Sequence, residues 1–192
     1  MKYPIEMFDE MTPKAKPITN QHGGVNDLGP VKTKIDGQML ANPIYTKWTG
    51  ILQRAFCPKH MAKRPTYKGT TVSDDFMTFS NFYGWYKSQY GFDKGWEVDK
   101  DVLGGDKHYS ADTCILIPRA LNSLLTDCDA ARGAFPAGVN WNDPRGYLQA
   151  RVNENAMHQT GAMPVFHNVI EATEYVIKLK RDVAERTLAR TV

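Results

Sequence analysis

Two runs of aromatic residues at helical spacing constrain this chain more than any other feature. Tyr45, Trp48, Ile51, Leu52 and Phe56 recur at three- and four-residue steps, which gathers them on one face of a helix over residues 43–56 that Cys57-Pro58 ends. Phe76, Phe79, Phe82 and Trp85 repeat the pattern after Ser73-Asp74-Asp75, an N-cap signal, and Gly91 closes that stretch. Stripes this apolar are read as packing faces and not as a ligand box.

The remainder of the 192 residues divides by character. Residues 1–40 are rich in Pro, Gly, Asn and Lys with no sustained period, and are read as an extended arm with one short strand pair. Residues 97–125 run strand, polar turn, strand, helix, from Glu97-Val98-Asp99 through Cys114-Ile115-Leu116-Ile117 to a helix over 118–125. Gly133 to Gly138, with Phe135-Pro136 between them, is a linker. Beyond it, residues 138–141 and 147–152 pair across the Asn142-Asp143-Pro144-Arg145-Gly146 turn. Ala172, Tyr175, Val176, Leu179 and Val183 then form the apolar stripe of a long terminal helix.

Composition narrows the function classes. With 42% apolar and 23% charged residues the chain can bury a core, and its length leaves room for two small modules. No apolar run approaches the about 20 residues of a membrane span, and Met1-Lys2-Tyr3-Pro4 opens no signal peptide, so no membrane partner is expected. Cys57, Cys114 and Cys128 are odd in number and lack Cys-x-x-Cys spacing, and are read as thiols of a reduced compartment. Cys57-Pro58-Lys59-His60 with the other two cysteines lacks the further ligands of a zinc knuckle, so zinc is not expected. A net charge of +3 does not by itself argue for nucleic acid. Two clusters do more: Lys59, His60, Lys63, Arg64 and Lys68, and Lys178, Lys180, Arg181, Arg186 and Arg190. Each is open to two readings, a phosphate-binding surface or a solvated face.

Several blocks in one order carry a family resemblance. Tyr45-x-x-Trp48, Arg54-Ala55-Phe56, Arg64-Pro65-Thr66-Tyr67, Phe79-x-x-Phe82-x-x-Trp85, Val98-Asp99-Lys100-Asp101 and Tyr109-Ser110-x-x-Thr113-Cys114 together resemble a phage family described as HNH-endonuclease-like, over most of residues 25–125. The resemblance implies a ββα module over residues 41–130 holding one divalent metal, Mg²⁺ or Mn²⁺, on hard oxygen ligands. Asp99 matches the strand ligand and Asn122 the helix ligand. The position of the general-base His is Lys100, and the orienting Asn position falls near Thr113. His108, in the turn of the hairpin, is the alternative base, and Asp101 and Asp106 are further carboxylates nearby.

The C-terminal stretch resembles the Apetala-two (ethylene-response-factor) type of DNA-binding domain, in Gly138-Val139, Tyr147-x-x-Ala150-Arg151-Val152, Thr160-Gly161, Phe166 and Glu171-Ala172-x-x-Tyr175. That resemblance implies, over residues 133–192, a three-stranded antiparallel sheet set into the major groove and braced by one long helix. Period-two alternation turns Leu148, Ala150 and Val152 to the helix and leaves Tyr147, Gln149, Arg151 and Asn153 on the open face, with Trp141 and Arg145 flanking it. Arg, Gln and Asn are the side chains that read purine edges bidentately.

The expectation is therefore an α+β protein of phage type in the cytoplasm of an infected bacterium, with duplex DNA as its partner. Two outcomes stay open: metal-dependent cleavage or nicking, as in an HNH homing endonuclease, or a catalytically degenerate relative that only binds DNA or a host protein.

Overall fold

The first aromatic stripe becomes helix α1 (Pro43–Phe56) of a computed structural model, which describes residues 4–8, 10–103, 107–125, 136, 138–142, 144–150 and 164–189. The Asn42 side chain accepts from the backbone N–H of Ile44 at 2.9 Å and Tyr45 at 3.4 Å, and Pro43 occupies the first turn, where a missing N–H costs nothing. Ile44, Trp48, Ile51 and Leu52 line its buried face. The second stripe, expected as one helix, is two: α2 (Pro58–Lys63) follows α1, then come α3 (Asp74–Met77) and α4 (Phe79–Ser88). The break falls at Thr78, which is extended and bridges to Val25, while the Asp27 carboxylate accepts from Ser80 N at 2.9 Å and so caps α4 from far away in sequence. Trp48, Phe76, Phe79, Phe82 and Tyr86 are almost wholly buried, and Phe79 meets Tyr45 edge-on at 5.2 Å.

Residues 10–41 do not form the expected arm. They fold into two antiparallel hairpins, β1 (Thr12–Thr19) with β2 (Val25–Gly29) and β3 (Lys32–Ile35) with β4 (Gln38–Ala41). Asp36 and Gly37 both hold positive φ, 48° and 80°, the geometry a two-residue hairpin turn requires. Met11 and Leu28 join the aromatic core. The same core takes in Val98, Tyr109, Cys114 and Leu116 from three short strands and the residue before the last of them. Of the strands here, β5 (Thr71–Val72) pairs parallel with β7 (His108–Tyr109), and β6 (Glu97–Asp99) pairs antiparallel with β8 (Ile115–Ile117).

The chain divides into two compact units after Ile117, so the helix expected to complete a strand–strand–helix module groups with the second. That unit contains α5 (Arg119–Leu125), a sheet in the order β11–β10–β9, built from β9 (Val139–Asn142), β10 (Tyr147–Ala150) and β11 (Val165–Phe166), and α6 (Val169–Ala189). Val139, Leu148 and Ala150 pack on Ala172 and Val176 of α6, with Phe166 and Tyr175 at the margin. The protein is thus mixed α+β with small, mainly antiparallel sheets. Among the described residues no helix is long and apolar enough to cross a membrane.

Gly24 shows how tightly the first hairpin seats on α1. A Cβ there would overlap Leu52 and lie 2.8 Å from the Trp48 ring. Gly24→Ala is expected to lower the unfolding free energy by about 1–3 kcal/mol through overpacking. Gly50→Ala, inside α1 with nothing within 4 Å of the new methyl, should raise it by about 0.5–1 kcal/mol. Urea unfolding of both variants checks the pair.

Candidate nucleic-acid interface

Asp99 ends β6, and its Oδ1 accepts from the backbone N–H of Asp101 and Val102, each at 2.8 Å. The carboxylate therefore closes its own turn, a role Asp takes readily. Lys100 is buried at 6% exposure, with its ammonium paired to Asp101 and 5.9 Å from the centre of the Tyr109 ring. A lysine in a polar turn reads as exposed, and only the long stem folding inward brings it under the core. His108 lies on β7, where its Nδ1 stands 2.8 Å from Thr71 Oγ1. Its carbonyl accepts from Thr113 Oγ1 at 2.6 Å, so the residue at the orienting position holds the His108 backbone. Asn122 is in α5, in the second unit, with its N–H bonded to the Pro118 carbonyl at 2.9 Å. Asp106 lies outside the described residues.

Among the described residues no three His, Cys, Asp or Glu side chains are grouped so as to hold a metal ion. Asp99, the residue matched to the strand ligand, commits Oδ1 to its own turn. Cys114 is buried, and burial pushes its thiol up to about 11; Cys57 is half-buried, and Cys128 lies outside the described residues.

The sheet of the second unit has a different character. Cα partners set Leu148 opposite Trp141 and Ala150 opposite Val139, while Tyr147 faces Asn142 and Gln149 faces Asn140. Residues directly opposite share a face. The side turned away from α6 therefore carries Asn140, Asn142, Tyr147 and Gln149, with Val165 of β11 opposite Gln149. Arg145, exposed in the turn, donates to the Tyr147 hydroxyl at 3.1 Å and stands beside this face. Trp141, expected to flank the open face, pairs with Leu148 and so belongs by register to the α6 side, where it remains 45% exposed. Asn140 and Asn142 escaped the sequence reading, although counting by twos from Val139 finds them. Arg151 and Asn153 lie outside the described residues. Three carboxamides and a phenol on one exposed sheet face supply paired donors and acceptors in a flat array.

A second polar feature belongs to the first unit. His60 of α2 is half-buried, its Nε2 shielded from solvent without a hydrogen-bond partner, and its ring 5.4 Å from that of Tyr67. Burial, and then Arg54, Arg64 and Lys63 around it, hold the imidazole below its ordinary value of 6.5.

Comparison with family models, with curated proteins and with solved structures found no match.

Two outcomes follow from this geometry. Asp99→Ala should cost about 0.5–2 kcal/mol in urea unfolding, the loss of a side-chain cap on two backbone N–H groups. His60 should titrate below 6.5 in an NMR pH series, and Arg64→Gln should move its midpoint upward by removing one neighbouring cation. Because the folded value is the lower one, His60's contribution to stability is complete above 6.5 and is lost as the pH falls through the folded value.

Proposed function

We propose that this chain is a duplex-DNA-binding protein of the phage HNH-like type, which reads base edges with the open face of the β9–β10–β11 sheet in the manner of an Apetala-two domain. The observation that carries this reading is the strand register. It sets Asn140, Asn142, Tyr147 and Gln149 on the side opposite α6, with Arg145 at the rim. Asn and Gln present a carbonyl and an NH₂ that match adenine N6 and N7, and Arg matches guanine O6 and N7. The rear of the sheet is sealed by Ala172 and Val176, which leaves the polar side to face a ligand. The major groove, about 12 Å wide, admits strands presented this way.

Binding without cleavage is the form of this reading that the first unit favours. Asp99, the residue matched to a metal ligand, closes a turn, and Lys100, matched to the general base, is ion-paired and buried. An ammonium engaged in that way donates protons and offers no lone pair to activate water.

Selection of a preferred site from a random duplex pool with the full chain, followed by fluorescence anisotropy, tests the proposal. Gln149→Ala is expected to reduce discrimination at one base pair by about 1–3 kcal/mol. Lys178→Ala, on the exposed side of α6, should weaken all sequences alike. A parent protein that binds no duplex at low salt rules the reading out.

A further inference from the structure

The first unit holds an imbalance of charge that the net value conceals. Residues 37–73 contain six cations, Lys47, Arg54, Lys59, Lys63, Arg64 and Lys68, and not one Asp or Glu. The whole chain is +3, so everything outside that stretch sums to −3. Lys47 is neutralised by Glu97 at 3.0 Å. The other five have no carboxylate partner among the described residues, and Lys59, Lys63, Arg64 and Lys68 are exposed.

The fold adds to this crowding. Lys107, just before β7, holds a positive φ of 55° and donates its ammonium to the Lys68 carbonyl at 3.1 Å, which brings a sixth cation to the patch. Arg54 lies 5.9 Å from the centre of the Tyr67 ring, so this guanidinium is set over an aromatic face. His60, shielded and without a partner, lies within the field of Arg54, Arg64 and Lys63. A face kept only for solubility interleaves both signs, because like charges gathered together repel. A cluster of cations drawn from α1 and from α2 with the turn after it, a stretch with no acidic residue, and joined by Lys107, matches a partner whose negative charge is extended and regularly spaced.

We infer that the surface formed by Arg54, Lys59, Lys63, Arg64, Lys68 and Lys107 is a second nucleic-acid contact, which grips the phosphate backbone of duplex DNA without reading its sequence. The inference rests on the proposed DNA-binding function and divides the labour within it: the sheet of the second unit reads bases, and this face supplies affinity. Each phosphate neutralised releases condensed counterions, so the grip is legible in the salt dependence of binding.

The full chain is compared with three variants by anisotropy on a preferred-site duplex and on a scrambled one, across a salt series. One variant replaces Lys59, Lys63, Arg64 and Lys68 by Ala. A control replaces Lys16, Lys32, Lys34 and Lys87 by Ala and removes the same charge elsewhere on the first unit. The third carries Arg145→Ala with Gln149→Ala. The first variant should bind both duplexes at least tenfold more weakly at physiological salt. Its slope of log K against log salt should be shallower by about 3 to 4, at about 0.9 for each phosphate no longer neutralised, with the preference for the site intact. Lys63→Glu alone should move in the same direction by a smaller step, and equal urea midpoints establish that the variants are folded. If the four-cation variant matches the control in slope and affinity, the inference is overturned, while loss of preference in the Arg145→Ala, Gln149→Ala variant sustains the DNA reading independently. A parent that ignores duplex but binds phosphatidylserine vesicles, in a manner the four-cation variant loses, assigns the face to a membrane and overturns it as well. A parent that binds neither overturns both readings.

Discussion

The first unit hangs on the hydrogen bond from the Trp48 indole N–H to the Phe76 carbonyl, 2.7 Å long and wholly buried. It joins the two aromatic stripes at the point where α3 is about to end, so each stripe sets the other's position. An indole N–H buried without a partner would cost about 1–3 kcal/mol, and the Phe76 carbonyl, near the C-terminal end of a four-residue helix, needs an acceptor role outside its own turn. One bond answers both needs. Phe79 then packs against Tyr45 and Trp48 at 5.2 and 5.1 Å, and the turn before β2 closes over α1 at Gly24, where only a hydrogen leaves room for Leu52 and Trp48.

From that junction the hairpins of residues 10–41 become structural. Asp27 caps α4 and Val25 bridges to Thr78, so β2 holds the chain at the break between α3 and α4. The break is invisible in sequence for that reason: the stripe at residues 76–85 has unbroken helical spacing, and its interrupter sits 53 positions away from Ser80. Helix α1 was legible because its signal is local, apolar residues every third or fourth place up to Cys57-Pro58, and the structure adds the Asn42 cap and Pro43 in the first turn. Strand β1 gave no such signal. Seven of its eight residues are exposed, so nothing alternates. The two-residue parallel pairing of β5 with β7 is likewise too short to leave a period.

The candidate interface was legible in the same uneven way. Alternation along β10 identifies Leu148 and Ala150 as inward and Tyr147 and Gln149 as outward, and the register agrees. The partner strand was harder, because β9 is a mix of Val, Asn and Trp in which size suggests that Trp141 reaches a ligand. Register is decided by the turn from Asn142 to Gly146, where the N–H groups of Arg145 and Gly146 both return to the Asn142 carbonyl. Once that turn fixes Tyr147 against Asn142, the faces of all four β9 residues follow, and a slip of one residue would exchange them.

The two proposed contacts make different demands, which is why a modest net charge is compatible with both. A base-reading face needs few charges and much rigidity, because a bidentate amide works only when held flat, and the Asn140, Asn142 and Gln149 array is carried on strands sealed from behind by α6. A phosphate-gripping face needs cations with nothing opposite them, since an internal carboxylate would take the place of the phosphate. The Lys100–Asp101 pair is a cation of the other sort, already partnered and set under Tyr109 in the core of the first unit. Only the lysine is buried: the Asp101 side chain is 70% exposed, so the carboxylate meets the ammonium from the solvent side. Such a lysine belongs to the fold, whereas the unpaired lysines of residues 59–68 add nothing to it that the structure shows.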